Sequence, residues 1–322
     1  MSRARSLGLF PAALAACASL AGCADRGPDL SPHEGFLEVP GGRVWYRIAG
    51  TGAGTPLVLL HGGPGVTSHY MNPLAALGDE RPVIFYDQLG SGRSTRTTDS
   101  TRWTIAHFVA ELDSVRRALG LREVHLLGHS WGTMLATQYV LAHPNAGVKS
   151  LILASPALST ARWVADADSL LTTLPDSVQQ VIGRHEAAGT FDAPEYQDAV
   201  MAFYSVYLWR GEPGPDIDSA FAGMNADIYG YMWGPSEFTA TGTLQDFDVT
   251  DSLALIDIPT LFTTGEYDEA LPSTVQWYAG LMPNAELAII PGAAHLTMQD
   301  EPEENVRLVR EFLRRMDESE RP

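Results

Sequence analysis

Five consecutive residues carry the strongest chemical signal in the chain: Gly128-His129-Ser130-Trp131-Gly132. An apolar run at 124–127 precedes them and a helical pattern at 133–141 follows. A serine on a sharp strand-to-helix turn exposes its oxygen, and flanking glycines let the backbone pass without clashing. A hydroxyl held this way is a candidate nucleophile. The next residue, Trp131, can aim its backbone N–H at the negative charge that develops on an attacked carbonyl oxygen.

Such a serine needs a base, an acid to orient the base, and a second donor for the oxyanion. The short apolar run 57–60 ends in His61-Gly62-Gly63-Pro64-Gly65, where the Gly63 N–H can serve as that donor. The run 259–264 reads as a buried strand and leads into Gly265-Glu266-Tyr267-Asp268-Glu269. Residues 288–290 read as the end of the next strand and lead into Pro291-Gly292-Ala293-Ala294-His295. His295 is the only histidine after His185. Asp268 is the preferred acid because it sits just past a strand end, whereas Asp257 precedes its strand and Asp300 follows the histidine. A lone loop aspartate is usually a turn former and a lone histidine usually structural. Here the conjunction and the order Ser130, Asp268, His295 match the triad order of the α/β-hydrolase fold.

The elements that must hold these residues can be read around them. Residues 36–39 and 44–48 suggest an opening hairpin about Gly41-Gly42, and 83–86 another strand. The Gly-rich turn 87–94 has no following lysine, so it reads as structural rather than as a phosphate loop. Residues 105–119 have helical spacing, with Phe108, Leu112, Val115 and Leu119 on one face. A strand at 151–154 and a closing helix at 306–316 complete the pattern. The expected architecture is a mostly parallel central sheet flanked by helices. Residues 35–154 and 247–318 would form the core, with a helical cap inserted at 155–246. Ten of the 43 residues from 196 to 238 are aromatic, against 29 of 322 overall. Most read as cap core, and the remainder as an apolar lid over the serine.

The glycine loop at 61–65, Asp87-Gln88-Leu89-Gly90-Ser91-Gly92-Arg93-Ser94 and the 128–132 turn together resemble the proline iminopeptidases, over residues 35–316. These are α/β-hydrolase peptidases that remove an N-terminal residue, often proline. Met232-Trp233-Gly234-Pro235-Ser236-Glu237-Phe238 is similar to a segment of the branch containing the tricorn-interacting aminopeptidase and related amino-acid amidases. That resemblance implies that Glu237 binds the substrate amino group, with Glu269 as a second carboxylate and Trp233 beside the substrate. Leu89 stands where many iminopeptidases have arginine, and Thr133 where glycine is common. The expected partner is a peptide or an aminoacyl small molecule. The alternatives are a small-molecule ester or amide hydrolase and a non-catalytic binding lipoprotein. Epoxide hydrolases and haloalkane dehalogenases are disfavoured because they place an aspartate where Ser130 stands.

Composition sets the remaining expectations. Hydrophobic residues make up 45 % and charged residues 19 % of the 322, an ordinary globular balance. Arg3 and Arg5 precede an almost wholly apolar run at 7–20, too short to span a bilayer, which reads as a signal peptide. Leu20-Ala21-Gly22-Cys23 resembles a bacterial lipobox. Residues 1–22 would then be a removed lipoprotein-type signal peptide, Cys23 the lipid attachment site and 23–34 a tether. That would place the protein outside the cytoplasm, anchored on the periplasmic or outer-membrane side, with no membrane contact beyond the lipid. Cys17 lies in the removed segment, so no thiol would be left for a disulfide or a nucleophile. The net charge of −18 disfavours nucleic acid and anionic membrane surfaces as partners. No metal site or cofactor motif is visible, and the oligomeric state stays open.

Overall fold

A computed structural model of the chain describes residues 28–319. The proposed signal segment, Cys17 and Cys23 lie outside them. Strands β1 (His33–Val39) and β2 (Gly42–Ala49) form the opening hairpin, turning at Gly41 with φ 100°. β1 begins three residues before the apolar pattern does. Its first residues pair through the backbone as an edge strand, and the His33 ring bonds the Tyr46 hydroxyl at 2.8 Å.

β3 (Leu57–Leu60) and β4 (Val83–Tyr86) are short and wholly buried, joined through a 3-10 stretch at Ser68–Asp79. Then come α1 (Ile105–Ala118), β5 (Val124–His129), α2 (Trp131–Ala142) and β6 (Val148–Ala154). Five helices follow before the sheet resumes: α3 (Thr160–Leu171), α4 (Asp176–Ala188), α5 (Pro194–Tyr207), α6 (Pro215–Ala222) and α7 (Ala226–Met232). The chain returns with β7 (Thr260–Gly265), α8 (Pro272–Gly280), β8 (Ala285–Ile290), α9 (Thr297–Asp300) and α10 (Pro302–Ser319). α10 starts four residues earlier than its apolar spacing indicates. Pro302 and the acids Glu303 and Glu304 occupy its first turn, where proline and negative charge are favoured.

The eight strands form one sheet in the order β1-β2-β4-β3-β5-β6-β7-β8. β1, β2 and β4 are joined antiparallel, and the other neighbours run parallel. Alternate strand residues feed two cores, as the two-residue period of a strand requires. Val58, Leu60, Ile84, Leu126 and Leu153 pack with α1 and α2 on one face. Leu57, Leu59, Phe85, Leu127 and Ile152 pack with the 3-10 stretch and α10 on the other. A third cluster lies within α3 to α5, where Leu170, Ile182, Tyr196, Phe203 and Tyr207 meet Phe238. Parallel strands bring their C-terminal ends to one edge, where open α/β sheets hold their ligands. The loops after β3, β5, β7 and β8 all leave from that edge.

Candidate active site

Ser130 sits between the end of β5 and the start of α2 with φ 55° and ψ −123°, a conformation that costs a non-glycine residue about 1–3 kcal/mol. The surroundings enforce it. A Cβ on Gly128 would meet the Gly132 carbonyl oxygen at 2.3 Å, and one on Gly132 would meet that of Leu60 at 2.0 Å. The Ser130 N–H donates to Ala154 O at 3.0 Å. Thr133 ties the turn from the other side. Its hydroxyl donates to Ser130 O at 2.6 Å and accepts from Ala157 N at 3.1 Å. Ser130 is partly accessible while both its neighbours are buried.

His295 and Asp268 stand together, as the strand-end reading expects. His295 Nδ1 lies 2.8 Å from Asp268 Oδ1. The Asp268 carboxylate is fully buried and accepts four further bonds, from Ser155 Oγ (2.6 Å), Ala270 N (2.8 Å), Thr264 Oγ1 (3.0 Å) and Gly265 N (3.1 Å). Burial alone would raise its pKa, but the charge and hydrogen bond of His295 and these donors hold it below the usual aspartate value. It is therefore built to stay ionised and to hold the His295 ring with Nδ1–H toward it. Ser155, with φ 48°, gave no signal in the sequence; it also donates to His295 O at 3.0 Å.

Ser130, Trp131, Gly63 and His295 line one cavity of about 150 Å³. Its glycine loop and serine turn are braced by the turn 87–94. Gln88 receives the Trp131 indole N–H on Oε1 (2.9 Å), gives its amide to His61 O (3.0 Å) and gives its backbone N–H to His61 Nε2 (2.9 Å). Asp87 pins the turn through Ser68 and Arg93, and these bonds hold its carboxyl down at about 2 despite burial.

A directional chain joins the same loop to the histidine. Burial, then the neighbouring His295, push the His129 pKa down to about 3, so the ring is neutral. Its Nε2 meets the His295 carbonyl oxygen at 2.9 Å, which can only accept, so Nε2 carries the proton. Nδ1 then accepts from the Tyr70 hydroxyl at 2.9 Å, and the Tyr70 oxygen accepts the Gly62 N–H at 2.7 Å. Tyr70 and His129 thus fix the Gly62 end of the glycine loop against the backbone of His295. Nothing in their spacing along the chain signals this.

Glu237, Glu269 and Trp233 face the same cavity. The Tyr229 hydroxyl donates to Glu237 Oε1 at 2.5 Å and Tyr204 reaches the same oxygen at 3.4 Å. Glu269 Oε1 lies 3.7 Å from His295 Nε2, and its Oε2 is buried with no partner among the described residues. Desolvation raises the pKa of both carboxyls; the charges of Glu237 and then Asp268 raise Glu269 further, while the Tyr229 bond and His295 oppose the rise at Glu237. No lysine or arginine lines the cavity. The aromatic-rich segment divides. Tyr204, Phe221, Tyr229 and Trp233 line the cavity, while Tyr196, Phe203, Tyr207 and Phe238 fill the helical cluster. Trp163, which stands edge-on to His295 with centroids 5.5 Å apart, lines it from α3, outside the aromatic-rich segment 196–238. Among the described residues no group of three or more metal-ligating side chains comes together.

Sheet order, the serine turn and the helices between β6 and β7 define an α/β-hydrolase, and residues 55–302 match the family model described as alpha/beta hydrolase fold. A proline iminopeptidase of Heyndrickxia coagulans is 45 % identical over 283 residues, 87 % of this chain and 98 % of that protein. One from Saccharolobus solfataricus is 36 % identical over 293 residues, covering 89 % and 94 %. The crystal structure of a Mycobacterium smegmatis proline iminopeptidase matches with a TM-score of 0.83 at 36 % identity, covering 89 % of this chain and 99 % of that one. This chain belongs to the proline iminopeptidase family.

Proposed function

We propose that this protein is a serine aminopeptidase that releases an N-terminal residue, proline or another small apolar one, from peptides. His295 takes the proton of Ser130 as its oxygen attacks the scissile carbonyl, and Asp268 orients the ring and stabilises its charged form. The N–H groups of Gly63 and Trp131 receive the oxyanion, each contributing about 3 kcal/mol at the transition state. His295 passes the proton to the leaving amine, and water then hydrolyses the acyl-enzyme with His295 again as base.

The observation that carries the amine specificity is the pair Glu237 and Glu269. Two carboxyls face the cavity beside His295, one with a buried oxygen unpartnered among the described residues, and no lysine or arginine lines it. A substrate ammonium supplies the missing charge, as in the tricorn-like branch, and Trp233 packs beside it. Pro-2-naphthylamide should be cleaved and its N-acetyl form should not. Glu237→Gln should lower kcat/KM on the free amine about 10- to 100-fold, the range for loss of a charge-assisted hydrogen bond. Equal turnover of free and acetylated substrates would leave a serine hydrolase without amine recognition.

We further propose export and anchoring through a lipidated Cys23, supported by the apolar run and the lipobox-like 20–23. Ala24 after the cysteine favours the outer membrane. Among the described residues no helix is long and apolar enough to cross a membrane. Metabolic labelling with radioactive palmitate should mark the wild-type protein and not Cys23→Ser; label retained in the variant would refute the anchor.

A further inference from the structure

His295 is held through its backbone as well as its ring. Its carbonyl oxygen accepts from His129 Nε2 at the end of β5 and from Ser155 Oγ just past β6. Its N–H donates to Tyr207 O at 3.0 Å, and the next N–H, of Leu296, donates to Leu208 O at 2.9 Å. Tyr207 is the last residue of α5, the helix whose Tyr204 lines the cavity. Asp300 closes this junction. It follows His295 and is not its acid partner, which is Asp268. α9 turns the chain back, with the Gln299 and Asp300 N–H groups donating to Leu296 O at 2.8 and 3.1 Å. The Asp300 carboxylate then spans two segments. Oδ2 accepts the N–H of Ala294, the residue before His295, at 2.8 Å, and Oδ1 accepts the N–H of Arg210, just beyond α5, at 2.9 Å. The Arg210 guanidinium adds a third contact, lying 3.8 Å from the ring centroid of Tyr267, the residue before Asp268.

We propose that Asp300 is a positioning residue for His295: its two carboxylate oxygens fasten the histidine loop to the outgoing end of α5, so that the base is set by a helix that also lines the cavity. This rests on the reading of His295 as the base. The physical reason lies in the acceptors. A carboxylate receives both N–H groups, whereas an amide of the same shape offers one oxygen and one NH2, so it accepts one bond and sets a donor against the other. Ala294 is buried, and a buried backbone N–H without an acceptor is unfavourable, so the loop shifts to find one. His295 moves with its neighbour, and a displacement of about 1 Å can cost on the order of 100-fold in rate.

The test is a double-mutant cycle. Asp300→Asn should lower both kcat and the rate of labelling by a fluorophosphonate about tenfold, with KM changed by no more than about twofold. In a His295→Ala background the same substitution should change the residual labelling rate by no more than about twofold, because the group it positions is gone. Wild-type kcat in Asp300→Asn overturns the inference, whatever happens to the unfolding temperature. A second loss of about tenfold in the His295→Ala background also overturns it, since Asp300 would then support Ser130 or the fold at large. Undiminished labelling of His295→Ala alone removes the reading beneath it instead. Hydrogen exchange followed by mass spectrometry tests the link to α5. Peptides covering 291–300 and 205–212 should both exchange faster in Asp300→Asn, with 124–135 unchanged. Loosening of 291–300 alone would show that α5 is held without Asp300 and overturn the coupling.

Discussion

At the scale of single residues, this protein buries carboxyl groups for different ends. Asp268 is surrounded by donors and kept ionised; at Glu237 desolvation outweighs the tyrosine hydrogen bonds, at Glu269 desolvation and neighbouring charge act together, and both pKa values are raised. Glu111 is a third case, outside the cavity lining. It is fully buried on α1, accepts Leu89 N–H at 3.1 Å on Oε2 and has no partner on Oε1 among the described residues. Burial pushes it up to about 8. A carboxyl whose folded pKa exceeds its unfolded value keeps its proton longer in the folded state. Its contribution to stability is therefore undiminished below the unfolded value of about 4.5 and is lost as pH rises toward about 8. Glu111→Gln keeps an acceptor for Leu89 and cannot ionise. Urea midpoints at pH 5 and pH 9 should show the wild type losing on the order of a few kcal/mol more than the variant across that interval. Parallel losses in the two proteins would show that Glu111 does not titrate in this range.

At the scale of elements, the serine turn is held by close backbone approach rather than by its own sequence preference. β5 pairs with β3 so that Leu60 is opposite Gly128, and α2 starts against the end of β3 with only Gly132 between. Gly132→Ala would drive a Cβ to 2.0 Å from the Leu60 carbonyl, so β3 and α2 must part. The glycine loop after β3 moves with them. We expect a stability loss of about 1–3 kcal/mol, the range for overpacking, together with a fall in kcat larger than any change in KM, since the loop carries the proposed Gly63 donor. Thermal unfolding and steady-state kinetics on the same preparation check both. A variant with wild-type kcat would mean that the loop is placed independently of this contact.

At the scale of the whole molecule, the sequence was legible where a pattern is local. The apolar runs of β3, β4 and β7 and the glycines around Ser130 mark the sheet and its turn with little ambiguity. The order of serine, acid and histidine points to Asp268 and His295, and the fold brings those two side chains to 2.8 Å. What stayed hidden is what depends on contacts between distant segments. Ser155 reaches Asp268 across 113 positions, Tyr70 reaches His129 across 59, and Gln88 reaches Trp131 across 43. Each is a common polar residue with no periodicity to announce it. Strand and helix ends were also read short, because edge pairing in β1 and the polar first turn of α10 add no apolar signal. The resemblance to proline iminopeptidases, by contrast, extends over the chain, and the relatives bear it out. The proposed mechanism rests on Ser130 as the group that attacks. The most direct measurement is to treat the protein with a fluorophosphonate and map the modified peptide by mass spectrometry. One adduct on Ser130, absent in Ser130→Ala and greatly slowed in His295→Ala, is the predicted result. An adduct on another residue, or undiminished labelling of Ser130→Ala, would contradict the account.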